Sequence, residues 1–511
     1  MKLEGDTVRM LISHREIIVT MDLPNVVLLT IDCLRYDRCG FNDHDRDTTP
    51  RLDQLAHESV IFDEVVASGP RTSESVPGIL AGALSSDCNF YDDLPFKAIP
   101  SETPTLATWL RNHGYQTVAA ISNPQLSPVR NFDRGFEEFT NLRIESDGDR
   151  FNDSEETEAD GGASGLQGVI ASVRGQLRDP VRERLRENGP RSFDPSTWAF
   201  LLERMAAKRT GWPTVPVKDV IDCLLQTLDA TADDRPVFAW SHLNDLHAPI
   251  HPERVRKGGL IGNPSDLTQF RWDLRRVADQ YEPNYAAMYD STLRYVDAQI
   301  GRLIEHLQAQ GIWDETILVV TADHGEALHD RGVYGHAAGN DRYAYDPTRD
   351  YMYEELLHVP LLVREPDGQG RRVQEPFSLA WLHELIAEVT GLEPGEFPRQ
   401  SGRESHCDPS TDALVIADAI SGDGHTIATR RGRYKRISEC AGGDRGSLDG
   451  DPLVFDLEID PGERTDLSGH RSLPELADAT EAVFTSPGKL RPVSGEIDSE
   501  TRELLGQLGY Q

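Results

Sequence analysis

The stretch NVVLLTIDCLRYDRCG, residues 25–40, carries the pattern that decides the fold. After Asn25 its residues up to Ile31 are apolar or β-branched and do not alternate with polar ones. That is the mark of a short strand buried on both faces. The run ends at Asp32. An acid placed directly after such a strand matters, because open parallel sheets bind ligands beyond the carboxyl ends of their strands. Four further runs look the same: TVAAI (117–121), PVFAWS (236–241), TILVVT (316–321) and VPLLV (359–363). We read all five as buried parallel strands. Three of the others also lead into polar residues: Ser122-Asn123-Pro124, then His242, Asp245 and His247, then Asp323-His324-Gly325-Glu326.

Helical patterns fall between the runs, at 51–60, at 103–115 with Gly114 as a C-terminal cap, and at 284–307. In the last, Leu293, Val296, Ile300, Leu303, Ile304 and Leu307 recur at three and four. Strands alternating with helices predict an α/β fold with a mainly parallel sheet flanked by helices. Beyond about residue 370 the texture changes to a helix (SLAWLHELIAEVTGLE) and strands read as ALVIADAI, HTIATRRGRYKRI and PLVFDLE. These predict a smaller antiparallel α+β unit. The expected organisation is an N-terminal extension at 1–22, a catalytic α/β domain at 23–370 and a C-terminal domain at 371–511. An acidic and helical insert is expected at about 143–234.

Charge dominates the composition: 52 basic against 86 acidic residues, a net of −34. Such a surface repels nucleic acid and anionic lipid. Its arginine-rich, lysine-poor basic set resembles proteins that work in concentrated salt, which would screen the self-repulsion. No window approaches 18 consecutive apolar residues, so no stable membrane insertion is expected. The first 22 residues do not read as a secretory signal. Six scattered cysteines, with no C-x-x-C, argue against a zinc ribbon or disulfide framework and for a reducing, cytoplasmic setting.

Asp32 and Asp323 supply hard oxygen ligands, and His324 or a neighbouring amide completes a shell suited to one divalent cation, Ca²⁺, Mg²⁺ or Mn²⁺. Taken alone, Asp323-His324-Gly325 also reads as a strand-ending turn. SGPRTSESVPGILAG, residues 68–82, is a hydroxyl-rich turn that either caps a helix or seats a nucleophile.

Several blocks, in order, resemble the sulfatases of the alkaline-phosphatase-like superfamily. They are NVVLLTIDCLRYDRCG, TTPRLDQLA (48–56), SNPQLSPVRNFDRGFEEF (122–139), HLNDLHAPIHPE (242–253), YVDAQIGRLIEHL (295–307), VTADHGEALHDRGVYGH (320–336), ELLHVPLLV (355–363) and VFDLEIDPGERTDL (454–467). The resemblance implies that Asp32, Asp323 and His324 hold the metal. His247 would contact the substrate's anionic group, and His336 would lie near the leaving group. His242 and His358 are read as structural. Two departures stand out. Where many sulfatases have a second acid this chain has Cys33, which we expect to be packed, since a thiol is a poor partner for Ca²⁺ or Mg²⁺. The C/S-x-P-x-R motif is also absent: aligning Leu80-Ala81-Gly82 with the end of its segment puts Thr72 at the nucleophile and Glu74 and Val76 at the Pro and Arg. Arg71 or Arg35 would replace the missing arginine, with Asn123 also assigned to the substrate.

Sulfatases oxidise their Cys or Ser to formylglycine. Threonine carries a methyl on that carbon and cannot give an aldehyde, so formylglycine is not expected. A Thr72 alkoxide can still attack phosphorus directly. The competing readings are Ser75 as nucleophile, or none. We therefore expect a metal-dependent hydrolase of sulfate or phosphate esters, acting on a small-molecule or a glycan- or lipid-linked substrate. A phosphoglycerol-type phosphotransferase and a non-catalytic anion-binding member are the alternatives.

Overall fold

The structure, a computed structural model, describes residues 23–91, 94–144, 214–231, 234–248, 250–261, 278–331, 334–336, 352–366, 368–398, 413–421, 424–440, 451–471 and 473–485. The expected extension at 1–22 and most of the acidic insert lie outside the described residues. Among these, eight strands form the main sheet. In chain order they are β1 (Asn25–Ile31), β2 (Val60–Phe62), β3 (Gln116–Ile121), β4 (Glu138–Asn141), β5 (Val237–Leu243), β6 (Thr316–Ala322), β7 (Leu361–Arg364) and β8 (Arg371–Val373). Across the sheet they run β8-β2-β7-β6-β1-β5-β3-β4. β1 is central and parallel to both neighbours, and Val26, Val27, Leu28, Leu29 and Ile31 are buried on its two faces. Removing each such side chain from water stabilises the fold by about 1.5–3 kcal/mol.

One strand departs from the parallel reading. β7, within VPLLV, pairs antiparallel with both β6 and β2. A continuous apolar run reports burial on two faces and carries no information about direction, and mixed sheets of this kind are common.

Register places the chemistry. Ile31 lies opposite Leu243 and Ala322, and Ile121 opposite His242. One residue past Ile31, Leu243 and Ala322, and two past Ile121, the residues Asp32, Asn244, Asp323 and Asn123 fall in a single row along the carboxyl edge.

The flanking helices include α1 (Pro50–Ala56), α2 (Thr72–Ala81), α3 (Leu106–Asn112), α4 (Val217–Asp229), α5 (Pro252–Gly258) and α6 (Ala278–Ala309). Met288, Leu293, Val296, Ile300, Leu303 and Leu307 line the buried face of α6 at helical spacing. The 68–82 stretch is thus a helix, with Thr72 as its first residue and Gly82 (φ +60°) ending it in the left-handed region.

A separate antiparallel sheet holds β9 (Leu414–Ser421), β10 (Gly424–Arg431), β11 (Tyr434–Cys440) and β12 (Leu453–Asp456). HTIATRRGRYKRI is therefore a hairpin and not one strand. It turns at Gly432-Arg433, where Gly432 has φ +55°, a conformation cheap only for glycine.

Candidate active site

β1 delivers Asp32 and β6 delivers Asp323 and His324, all fully buried. The His324 ring donates through Nδ1 to the Gly325 carbonyl at 2.7 Å, which leaves Nε2 as the lone-pair nitrogen. That atom lies 3.5 Å from Asp32 Oδ1, 3.6 Å from Asp323 Oδ2 and 3.4 Å from Thr72 Oγ1. Thr72 comes from the N-terminus of α2, so three elements distant in sequence meet at one imidazole nitrogen.

These residues fit a divalent cation. One donor atom from each of Asp32, Asp323 and His324 lies within 4.8 Å of the others. Asp323 Oδ1 accepts the His324 amide at 2.8 Å, while Oδ2 is buried with no hydrogen-bond partner. A buried carboxylate oxygen without a donor is costly unless something positive faces it. Burial alone would raise the Asp32 carboxyl, but His242, His247 and His324 around it hold it far below the usual carboxylate range.

Further side chains close the site. Asn123 Nδ2 donates to Asp32 Oδ2 at 3.3 Å. His336 donates through Nδ1 to the Glu326 carboxylate, 3.2 Å from each oxygen. Its ring centroid is 4.4 Å from that of His324 and 5.0 Å from that of His247. His247 gives its Nδ1–H to the Ala248 carbonyl at 2.6 Å, which makes Nε2 its acceptor nitrogen when neutral. Burial lowers the His247 pKa, outweighing the opposing charge of Asp32. Burial pushes His336 the same way, but Glu326 overcomes it and its pKa is raised. His242 bonds Thr30 Oγ1 at 2.9 Å and sits 3.6 Å from Asp32 Oδ2, so the histidine read as structural borders the site.

The two arginines do not join this cluster through these bonds. Arg35 is held by Asp37 and Asp330 and by the Glu326 carbonyl. Arg71 forms a two-point bridge to Glu74. Glu74 is buried and also bonds Lys97, and although burial would raise its carboxyl, Arg71 and Lys97 hold it well below the usual range. Neither Lys97 nor the Glu326–His336 pair was singled out from sequence. Only the acid of Asp-His-Gly-Glu gave a hint, for Glu326. Ser75 lies on the same helix with a buried Oγ that has no hydrogen-bond partner.

Carboxylates, imidazoles and one hydroxyl thus gather at the carboxyl edge of a mainly parallel sheet. The sulfatase family profile matches residues 24–392, and the chain belongs to that family. It is 24% identical to the steryl-sulfatase of Mus musculus, over 93% of this chain and 84% of that protein. It is 22% identical to the choline-sulfatase of Rhizobium meliloti (strain 1021), over 88% and 83%. Among solved structures, the phosphonate monoester hydrolase of Silicibacter pomeroyi superposes with a TM-score of 0.57. That match has 21% identity and covers 90% of this chain and 94% of the other.

Proposed function

We propose that the protein hydrolyses phosphate esters, and sulfate esters less readily, through a Thr72 nucleophile at a divalent-metal site formed by Asp32, Asp323 and His324. The observation that carries this reading is the 3.4 Å approach of Thr72 Oγ1 to His324 Nε2, the atom that also faces both carboxylates. A cation bound there supplies positive charge that lowers the hydroxyl's pKa and screens the anionic oxygens of the ester. Thr72 gives its proton to His247 Nε2, directly or through water, and its oxygen bonds to phosphorus. The bond from phosphorus to the leaving oxygen breaks, and that oxygen takes the proton of His336 Nε2. Water then bonds to phosphorus and gives a proton to His336, while the bond from phosphorus to Thr72 Oγ1 breaks and His247 returns its own proton to that oxygen. Both histidines end as they began.

Phosphorus is favoured because the threonine methyl closes the aldehyde route by which sulfatases release sulfate. The bond from Asn123 to Asp32 supports assigning Asn123 to the substrate side. Arg71 and Arg35, each neutralised by acids, act as supports for the loops around it. A reducing cytoplasmic setting belongs to this reading, on the six scattered cysteines with no C-x-x-C. Paired assays with an aryl phosphate and an aryl sulfate test the reading. Thr72→Ala is expected to lose about 10³-fold or more in kcat, with Thr72→Ser retaining substantial activity. A Thr72→Ala protein at full rate would refute it.

A further inference from the structure

We propose that Cys33 is a fourth ligand of the ion held by Asp32, Asp323 and His324, and that the site therefore takes a transition-metal ion such as Zn²⁺, Co²⁺ or Fe²⁺ in preference to Ca²⁺ or Mg²⁺. The inference rests on the metal site of the proposed function and changes the class of ion it holds. It also revises the expectation that Cys33 is merely packed.

Geometry carries it. Cys33 Sγ lies 3.0 Å from Asp32 Oδ1, and Cys33, His324 and His336 offer donor atoms within 4.8 Å of one another. His324 belongs to both this group and the Asp32–Asp323 group. The 3.0 Å from Cys33 Sγ to Asp32 Oδ1, and the 3.5 and 3.6 Å from His324 Nε2 to Asp32 Oδ1 and Asp323 Oδ2, are separations of neighbouring donors around one ion at about 2.0–2.3 Å. Asp323 Oδ2, buried without a hydrogen-bond partner, marks where positive charge is wanted.

The backbone holds the sulfur there at a cost. Cys33 has φ +65°, in the left-handed region that a non-glycine residue rarely adopts. The Tyr289 hydroxyl fixes that turn by donating to the Cys33 carbonyl at 2.6 Å and accepting the Arg35 amide at 3.1 Å. Strain of this kind persists where surrounding structure imposes it, characteristically at functional sites. Two carboxylates, an imidazole and a thiolate are a mixed donor set. Thiolate and imidazole suit zinc and its first-row neighbours, whereas Ca²⁺ and Mg²⁺ want oxygen alone. On coordination the thiol proton leaves to solvent.

Cobalt supplies the test, because a cobalt–thiolate bond gives a near-ultraviolet charge-transfer band that oxygen and nitrogen ligands do not. Metal-stripped full-length protein is titrated with Co²⁺ and followed by absorbance and by metal content. The wild type is expected to take up one ion with the band. Cys33→Ser and Cys33→Asp are expected to bind Co²⁺ with visible ligand-field absorption but without it. Cys33→Asp puts a carboxylate oxygen in place of the sulfur at a φ that aspartate tolerates, and is expected to gain thermal stabilisation by Ca²⁺. Cobalt uptake by the wild type with no near-ultraviolet band, or a band that survives both substitutions, overturns the proposal and leaves the metal site standing. No uptake of Co²⁺, Zn²⁺, Mn²⁺ or Ca²⁺ overturns both.

Discussion

His336 and His247 have ring centroids 5.0 Å apart, yet their surroundings push their pKa values in opposite directions. Burial lowers both, and at His336 the Glu326 carboxylate bonded to the ring overcomes it. The proposed chemistry needs His247 neutral and His336 charged. Activity is therefore expected only above the lowered pKa of His247 and below the raised pKa of His336, giving a bell in kcat/KM against pH. Glu326→Gln keeps the shape but removes the charge that stabilises the imidazolium. Burial then dominates at His336, its pKa falls, and the alkaline limb is expected to move to lower pH. A pH profile with an unmoved alkaline limb would remove His336 as the acid.

At the level of elements, the decisive joint is between α2 and the small antiparallel sheet. Lys97 bonds both Glu74 on α2 and the carbonyl of Ile420 on β9 at 3.1 Å. Asp418 on β9 accepts the Ser85 and Ser86 amides at 2.7 and 3.0 Å, and its own amide donates to Ser68 at 2.9 Å. The sheet outside the catalytic layer thus clamps both ends of the helix that presents Thr72. Lys97→Met leaves Glu74 buried with Arg71 as its remaining cation. Breaking a buried pair in this way costs about 3–5 kcal/mol, and because Arg71 persists the lower end is expected, read as a drop in urea midpoint. None of this joint was legible in the sequence, since Lys97, Glu74 and Ile420 come together only through tertiary packing. What was legible was local. Continuous apolar runs marked β1, β3, β5 and β6, and the polar residues that follow them marked the carboxyl edge. The direction of β7 and the turn inside HTIATRRGRYKRI were missed, because hydrophobicity encodes burial and not pairing, and Gly432 was lost among flanking arginines.

For the whole molecule, the net charge of −34 is a standing self-repulsion in dilute buffer. Exposed pairs such as Arg235–Glu137 and Arg51–Glu305 offset little of it, each contributing about 0–1 kcal/mol. Screening by salt is thus expected to raise the thermal midpoint in molar KCl over dilute buffer, and a midpoint that stays level or falls would count against a salt-adapted surface. Among the described residues no helix is long and apolar enough to cross a membrane. All these layers converge on one hydroxyl, so the most direct measurement is intact-protein mass with peptide mapping after quenched turnover of an aryl phosphate. A phosphoryl adduct on Thr72, absent from Thr72→Ala, is the predicted result. Turnover with no adduct at residue 72, or an adduct on Ser75, would contradict the account.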